Sequence, residues 1–220
     1  MIAQALLSQI AFLDQQISQM VHQAIAALAE VRESWGVDAT GDTGPQAGTS
    51  PDSPILAAAH RPAEIPGISV WLAIVIIAEI GLSMAVFPTP AHLVSWMGLC
   101  RSAAQSGTRH GKGKPKKGNS YARAAAGQAA IGAARTATFL GERYRRIARR
   151  RGKAIAQAAV ARSIMIIVWH LLADPQARYR DLGPDWHATR INRDKKIRNH
   201  LRGLQALGVT VTITEDEQVA

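Results

Sequence analysis

The stretch EIPGISVWLAIVIIAEIG, residues 64–81, decides the fold class of this chain. Its Pro66-Gly67 pair predicts a tight turn. The apolar run behind the turn predicts a buried helix from about Val70 to Ile80 that ends at Gly81. Nine apolar residues precede Glu79 in this run, whereas a helix needs about 20 to cross a bilayer. The segment therefore predicts a core helix and not a membrane span.

Composition extends the helical prediction to the rest of the chain. The 220 residues are 47% hydrophobic but only 5% aromatic, which favours helices packed through Ala, Ile and Leu over an aromatic-rich sandwich. The single cysteine, Cys100, excludes an internal disulfide and fits a reducing compartment. The N-terminal residues lack the charged region and the cleavage site of a secretory signal. We expect a mainly α, cytoplasmic protein with no membrane partner.

The turn IPGIS, residues 65–69, resembles the hairpin of a helix-hairpin-helix element. In such an element, backbone N–H groups at the turn and the N-terminus of the next helix face a DNA phosphate. The spacing predicts DNA contacts by Pro66, Gly67 and Ser69, with Ser69 standing where a second glycine is usual. The alternative is an ordinary Pro-Gly turn that leads into a core helix.

Further helices are predicted downstream of the hairpin. FPTPAHLVSWMGLC, residues 87–100, offers Thr89 as N-cap and Pro90 at the first helical position, with an end near Gly98. A helix is expected over about 120–140, and residues 141–153 continue or restart it. An apolar helix over 154–172 follows, then a basic helix over about 190–207 that stops at Gly208, then a short strand over 209–214. The inward candidates of the apolar helix are Ile155, Ala159, Ile166 and Trp169.

The N-terminal residues 2–34 predict one long helix with a heptad pattern. Ile at a and Leu at d favour a parallel two-stranded coiled coil, so we expect a homo-oligomer paired through this helix. The alternative is an amphipathic helix packed on its own domain, because further apolar residues broaden the face. The a positions are Ile10, Ile17, Ala24 and Val31, and the d positions are Leu6, Leu13, Met20 and Ala27.

Residues 36–54 are rich in Gly, Pro, Thr, Ser and Asp and show no apolar period, which predicts a flexible linker or an exposed loop. The expected organisation is a coiled-coil helix over 1–35, a linker over 36–63 and a main helical domain over 64–182. A C-terminal extension with a basic helix and a short strand over 183–220 completes it.

Positive charge is concentrated in one block of the chain. The chain has a net charge of +10, and residues 101–153 hold 15 Lys and Arg against one acid, Glu142. The remainder is net negative, since it holds 11 Lys and Arg against 15 acids. Such segregation points to a polyanionic partner, DNA or RNA in the first place and an anionic membrane surface in the second.

A glycine-rich loop, QSGTRHGKGKPKKGN at residues 105–119, carries much of this charge. Glycines let a backbone approach a phosphate closely, and the cations supply sequence-independent affinity through counterion release. The spacing does not match a Walker loop, and the alternative is a solvated loop. The nucleic-acid-binding candidates of the block are Gly107, Arg109, Lys112, Lys114, Lys116, Lys117, Asn119, Arg123, Arg145 and Arg146.

Ser106 stands at the edge of this loop. A serine hydroxyl becomes a useful nucleophile only when a base or a metal assists it, and spacing alone favours an ordinary loop serine. The seven histidines are scattered without metal-ligand spacing, so we expect no metal site in this chain.

Several of these motifs, in this order, resemble one family. IPGIS and IIAEIG (76–81) are followed by FPTPAHLVSWMGLC, QSG (105–107), KKGN (116–119) and RGKAIAQAAVARSIMIIVWHLL (151–172). The run resembles the C-terminal part of the insertion-sequence transposases of the IS-one-ten type, also called bridge recombinases. The resemblance covers roughly residues 64–182, and the tail from Asp185 to Thr214 is similar to an extension of some members.

The resemblance implies a DNA transposase of two parts. Four acids of an N-terminal resolvase-like domain, the DEDD set, would hold a divalent metal such as Mg²⁺. A C-terminal domain would carry a serine nucleophile in a Ser-Gly pair, which here is Ser106-Gly107. A structured bridge RNA would pair with the donor and target DNA. Ser106 would then form a phosphoserine link to a DNA end.

The chain departs from this pattern at its N-terminus. Seven acids lie within residues 1–64, but they fall on the predicted helix, the linker and the lead-in to the turn. We expect the DEDD domain to be missing from this chain, which would then be incomplete and inactive alone. It would be a truncated copy, an internal-start product, or half of a split enzyme whose DEDD domain is a separate protein. The alternatives are a non-enzymatic, truncated nucleic-acid-binding remnant and peripheral attachment to a membrane through the basic helices.

Overall fold

The computed structural model describes residues 2–100, 104–106, 109–111, 117–189 and 193–208. The chain is mainly helical, which confirms the predicted fold class. It divides into two compact units, Met1–Pro184 and Asp185–Ala220. The predicted division into four segments stays a prediction.

The first unit begins with a long helix, α1, over Ile2–Ala29. A single 3₁₀ turn over Arg32–Ser34 follows it, so the helix ends five residues before the predicted end. Polar side chains close its C-terminus, because the Ser34 hydroxyl donates to the carbonyl oxygen of Leu28 and Trp35 Nε1 donates to that of Ala29, at 2.8 Å. No residue of α1 is buried.

Residues 36–63, for which the sequence predicts a linker, carry secondary structure and core side chains. Strands β1 (Gly36–Val37) and β2 (Thr43–Gly44) pair antiparallel, and a short helix, α2, spans His60–Ala63. Leu56, Ala58 and Arg61 are buried. This segment therefore belongs to the first unit, since its apolar residues pack on the helices that follow.

Two predicted helices are confirmed at their termini. Helix α3 spans Val70–Ile80; the Ser69 hydroxyl caps its first turn, and Gly81 ends it at a φ of 78°. Helix α4 spans Pro90–Trp96 with Thr89 as N-cap and proline in the first turn. Local chemistry explains this agreement. At α3 the Ser69 hydroxyl accepts a first-turn N–H group and Gly81 adopts a positive φ without strain. At α4 proline suits the first turn, where its missing N–H needs no partner.

The predicted helix over 120–140 is wrong in one respect, because it is broken. Helix α5 spans Ser120–Ala134 and helix α6 spans Phe139–Arg151. Thr138 starts α6, since its hydroxyl accepts from the Gly141 N–H. The buried face of α5 is entirely alanine, which lets neighbouring helices approach closely; its members are Ala122, Ala125, Ala126, Ala129, Ala130 and Ala133.

Helix α7, Lys153–Ala173, is the centre of the first unit and contacts α2, α4, α5 and α6. Of the predicted inward residues, Ile155 is exposed and Ala159 is only partly buried, while Ile166 and Trp169 are partly buried and pack against the core. The helix is apolar on nearly all sides, so periodicity does not define its face. The buried residues are Ala156, Val160, Ala161, Ile164, Met165, Val168, Leu171 and Leu172.

By length and composition α7 could cross a membrane. Its side chains instead pack into the common core with those of α4 and α5, as expected of the central helix of a globular domain. Among the described helices, no other meets the same length and apolarity.

The second unit, described by itself, contains the short helix α8 (Trp186–Thr189) and the basic helix α9 (Arg193–Ala206). The predicted basic helix is thus confirmed, with Gly208 beyond its end at a φ of 78°. The strand predicted over 209–214 lies outside the described residues.

Candidate nucleic-acid interface

The hairpin that precedes α3 is built around Gly67. This residue has a φ of 93°, and a Cβ placed there would collide with the backbone of Ala129 and Ala133 in α5. The turn therefore needs glycine for packing, whatever it binds. Ser69, exposed beside it, caps α3 by accepting from the Leu72 N–H at 3.2 Å.

The predicted hairpin residues lie at one end of a shallow groove of about 460 Å³. Its other wall comes from α5 and includes Gln128 and the exposed Arg135. Gly67 and Ser69 therefore stand near the N-terminus of α3 with a cation across the groove, an arrangement that suits an anion. Pro66 is half-buried in the turn itself.

Ser106 lies on a strand, where the sequence predicts a loop. Strands β3 (Ala104–Ser106) and β4 (Arg109–Gly111) form an antiparallel hairpin, and Ser106 is the direct partner of Arg109 in its register. Antiparallel strands can be joined by as few as two residues, so a short glycine-containing segment can pair in this way. Gly107, Lys112, Lys114 and Lys116 lie outside the described residues.

The residues just before α5 make their contacts with other parts of the protein. Gly118 packs so closely on the backbone at Met97 and Gly98 that a Cβ would collide with it. Asn119 caps α5, because its Oδ1 accepts from the Tyr121 and Ala122 N–H groups, and its Nδ2 donates to Glu79 Oε2 at 2.7 Å. Lys117, in contrast, is exposed.

Arg145 and Arg146 are neighbours with different surroundings. Arg145 pairs with Glu142 at 3.0 Å and donates to the carbonyl oxygens of Thr136 and Ala134, which completes the C-terminal end of α5. Arg146 is exposed. Of this predicted pair, Arg146 is therefore the one available to a ligand.

Arg123 is exposed at the edge of a second groove, of about 570 Å³. Gly98 to Cys100, which follow α4, line this groove together with Gly127 of α5 and Gln157 of α7. Gln157 Nε2 is held by the Gly127 carbonyl oxygen at 3.1 Å.

Sequence reasoning missed two arginines in a third groove, of about 700 Å³, next to the second. Arg143 comes from α6 and Arg162 from α7, and Leu99 and Cys100 are shared with the Arg123 groove. Burial lowers the pKa of Arg143, and the charges of Arg146 and Arg162 lower it further. Arg162 is the only Lys, Arg, Asp or Glu within the mainly apolar segment 154–172, and this is the signal that points to it.

The described residues contain no group of three or more His, Cys, Asp or Glu side chains that could hold a metal ion. A divalent metal of the kind that the resemblance implies therefore finds no fitting donor set among them.

Comparison with known proteins agrees with the motifs. Residues 59–146 match the model of the Transposase IS116/IS110/IS902 family, a range that runs from α2 through the Ser106 hairpin to most of α6. A search of curated proteins finds no match to the chain. Residues 59–146 therefore match a domain of the Transposase IS116/IS110/IS902 family, which is the family that the sequence motifs resemble.

Proposed function

We propose that this chain is the serine-bearing part of a DNA transposase, with Ser106 as the nucleophile. The observation that carries the proposal is the family match, because its range includes Ser106 within the most basic part of the chain. A DNA-recombining family with one block of concentrated positive charge implies DNA as the partner.

In the proposed step, Ser106 Oγ attacks the phosphorus of a DNA phosphodiester and loses its proton. The bond from phosphorus to one deoxyribose oxygen breaks, and that oxygen takes up a proton and leaves as a free hydroxyl. Ser106 then carries the DNA end as a phosphodiester. Attack by another DNA hydroxyl reverses the step, so the strands are rejoined with no net loss of phosphodiester bonds.

The pairing register of strands β3 and β4 supports this role for Ser106. Its strand partner is Arg109, so a cationic residue occupies the position directly opposite the nucleophile. Arginine near a phosphoryl group undergoing displacement stabilises the charge that develops on the phosphate oxygens. We assign Arg109 to this stabilising task.

The acids that would hold Mg²⁺ belong, in this proposal, to a DEDD domain outside the described residues. Because the described donor set does not fit a divalent metal, no step on this chain is assigned to one. A bridge RNA would select the DNA sequence, and the complex would act in the cytoplasm at the nucleoid.

Pairing of two chains through α1 is part of the proposal. Strand exchange needs more than one nucleophile, and α1 exposes large apolar side chains along its length, including Leu6, Ile10, Leu13, Ile17 and Met20. A second copy of α1 would cover these residues in the heptad register that the sequence predicts.

The decisive experiment looks for a covalent protein–DNA adduct. The chain would be combined with a DEDD-domain protein of the same family, its bridge RNA, Mg²⁺ and DNA carrying the element end, and the products separated under denaturing conditions. We expect an adduct with the wild type and with the control Ser120→Ala, which removes an exposed serine at the start of α5, but not with Ser106→Ala.

Mass spectrometry of the digested adduct should place a nucleotide on the peptide that contains Ser106. An adduct that persists in Ser106→Ala would refute the assignment of the nucleophile. Salt-sensitive DNA binding without an adduct in any combination would instead support the non-enzymatic nucleic-acid-binding alternative.

A further inference from the structure

The groove between α6 and α7 combines an apolar floor with two arginines. Its polar lining residues are Arg143 from α6, and Arg162 and Ser163 from α7. Apolar side chains, among them Ile155 and Ile166, form much of the rest. Because the floor is apolar, a charge in this groove is screened less than one on an open surface.

The arginines of the groove lack the acceptors that arginines find elsewhere in the fold. Arg143 Nε is buried and has no hydrogen-bond partner. In the described parts of the chain, no carboxylate forms an ion pair with Arg143, Arg146 or Arg162. The nearest acid in the sequence, Glu142, instead pairs with Arg145 and Arg149.

Other part-buried arginines show what a purely structural role looks like. Arg145 donates to one carboxylate and two carbonyl oxygens, and Arg178 pairs with Glu64 at 2.7 Å. Arg143 departs from that pattern, and its pKa is lowered by burial and by two like charges. A buried donor without an acceptor lowers stability unless a ligand supplies one.

We propose that the α6–α7 groove binds a phosphate group, held by Arg143 and Arg162. A phosphate offers several oxygens in the geometry that guanidinium groups bind in pairs, and it neutralises the cluster. Cys100, in the groove wall, precedes Ser106 by six residues. The phosphate could come from the backbone of a nucleic acid or be a free phosphate ion. The first source rests on the proposed function, which this inference deepens.

Thermal unfolding of the full chain tests the site directly. Sodium phosphate would be compared with sodium chloride at equal ionic strength, for the wild type, Arg143→Gln and Arg162→Gln. The matched control is Arg151→Gln, which removes the same charge from an exposed position in the last turn of α6. We expect phosphate to raise the unfolding temperature of the wild type and of Arg151→Gln, and to lose most of this effect in both groove variants.

The same proteins without phosphate separate a binding role from a structural one. Replacing an arginine with a structural role lowers the unfolding temperature of the protein. Arg143→Gln should instead unfold at the same or a higher temperature than the wild type, because like-charge repulsion is relieved. Should Arg143→Gln fail to fold, the exposed Arg162→Gln still tests the site.

A second arm measures the affinity for a labelled 20-base-pair DNA duplex. If the phosphate comes from nucleic acid, each groove variant should weaken binding about tenfold, the effect of losing one charge-assisted hydrogen bond. A normal duplex affinity with a lost phosphate response identifies free phosphate as the source. Groove variants that match Arg151→Gln in both arms would refute the site. The thermal-unfolding and duplex-binding measurements can both be interpreted even if no Ser106 adduct forms, so the two proposals can fail separately.

Discussion

Arg61 and Leu171 meet in the core, 110 positions apart in the sequence, where Arg61 Nη1 donates to the Leu171 carbonyl oxygen at 2.9 Å. Arg61 is only 3% exposed. Leu171 lies in the last turn of α7, where carbonyl groups have no donor within the helix. The contact therefore ties the segment before the hairpin to the end of the central helix.

Replacing Arg61 by alanine should lower the free energy of unfolding by about 2–4 kcal/mol, because a cavity forms and the Leu171 carbonyl loses its donor. Urea unfolding measures the change. The control Arg149→Ala removes an exposed arginine that pairs with Glu142 and should cost less than about 1 kcal/mol. Equal losses in the two variants would show that the buried contact is unimportant.

Two glycines with positive φ should respond differently to alanine. Gly67 and Gly81 have φ of 93° and 78°, but only at Gly67 would a Cβ collide with neighbouring backbone. We expect Gly81→Ala to cost about 1–3 kcal/mol from backbone strain alone. Gly67→Ala should cost clearly more, since α5 must also move. Similar unfolding midpoints in urea would contradict the close packing of the hairpin on α5.

Pairing through α1 should depend on its apolar heptad positions. The double variant Ile10→Glu, Ile17→Glu places charges in the predicted seam and should make the chain monomeric in sedimentation-velocity runs at micromolar concentration. The control Gln4→Glu, Gln15→Glu adds the same charge at exposed polar positions away from the predicted seam and should leave the sedimentation coefficient unchanged. A wild-type chain that sediments as a monomer would remove this part of the proposal.

The lysines of the glycine-rich loop should set the salt dependence of DNA binding. Changing Lys112, Lys114, Lys116 and Lys117 to glutamine should flatten the plot of log Kobs against log salt concentration by about 0.9 for each DNA phosphate that is no longer neutralised. Changing Lys195, Lys196, Arg198 and Arg202 of α9 removes an equal charge outside the family domain and should alter the slope less. The reverse order would assign the main DNA contacts to α9.

His60 should make stability depend on pH. Burial lowers its pKa below the ordinary 6.5, and its Nδ1 has no partner. Near that pH the unfolded chain binds a proton that the folded chain does not, so stability falls as the pH drops through 6.5 toward the lowered value. His60→Gln should lose less stability than the wild type between about pH 8 and pH 5.5. At pH 8 the two differ by packing alone, which provides the internal control for urea unfolding.

The strongest local signals in the sequence predicted their elements well. The Ser69 cap and Gly81 bound α3, and Thr89-Pro90 starts α4, because each depends on groups within a few residues. The family resemblance, too, follows from the order of short motifs along the chain. The break between α5 and α6 was missed, because Thr138 acts as an N-cap between the alanine-rich α5 and a second segment, Phe139–Arg151, that is also helical.

The roles of the arginines could not be read from their order in the chain. Three arginines lie within four positions of one helix. Arg143 is part-buried and its Nε has no acceptor, Arg145 is hydrogen-bonded within the fold, and Arg146 is exposed. Which acceptors each meets depends on the ends of α5 and on Arg162 of α7. These groups come together only when the three helices pack.

The sequence by itself determined the helical class, the ends of the well-capped helices, the basic block and the family resemblance, because these follow from composition, caps and motif order. Only the tertiary structure decided which side of α7 is buried, what Gly67 packs against, and where Arg61 and Arg143 find or lack acceptors. The physical reason is the separation along the chain between the groups that interact. Caps and turns involve neighbours along the chain, whereas burial and the pairing of charges depend on residues brought together from distant segments.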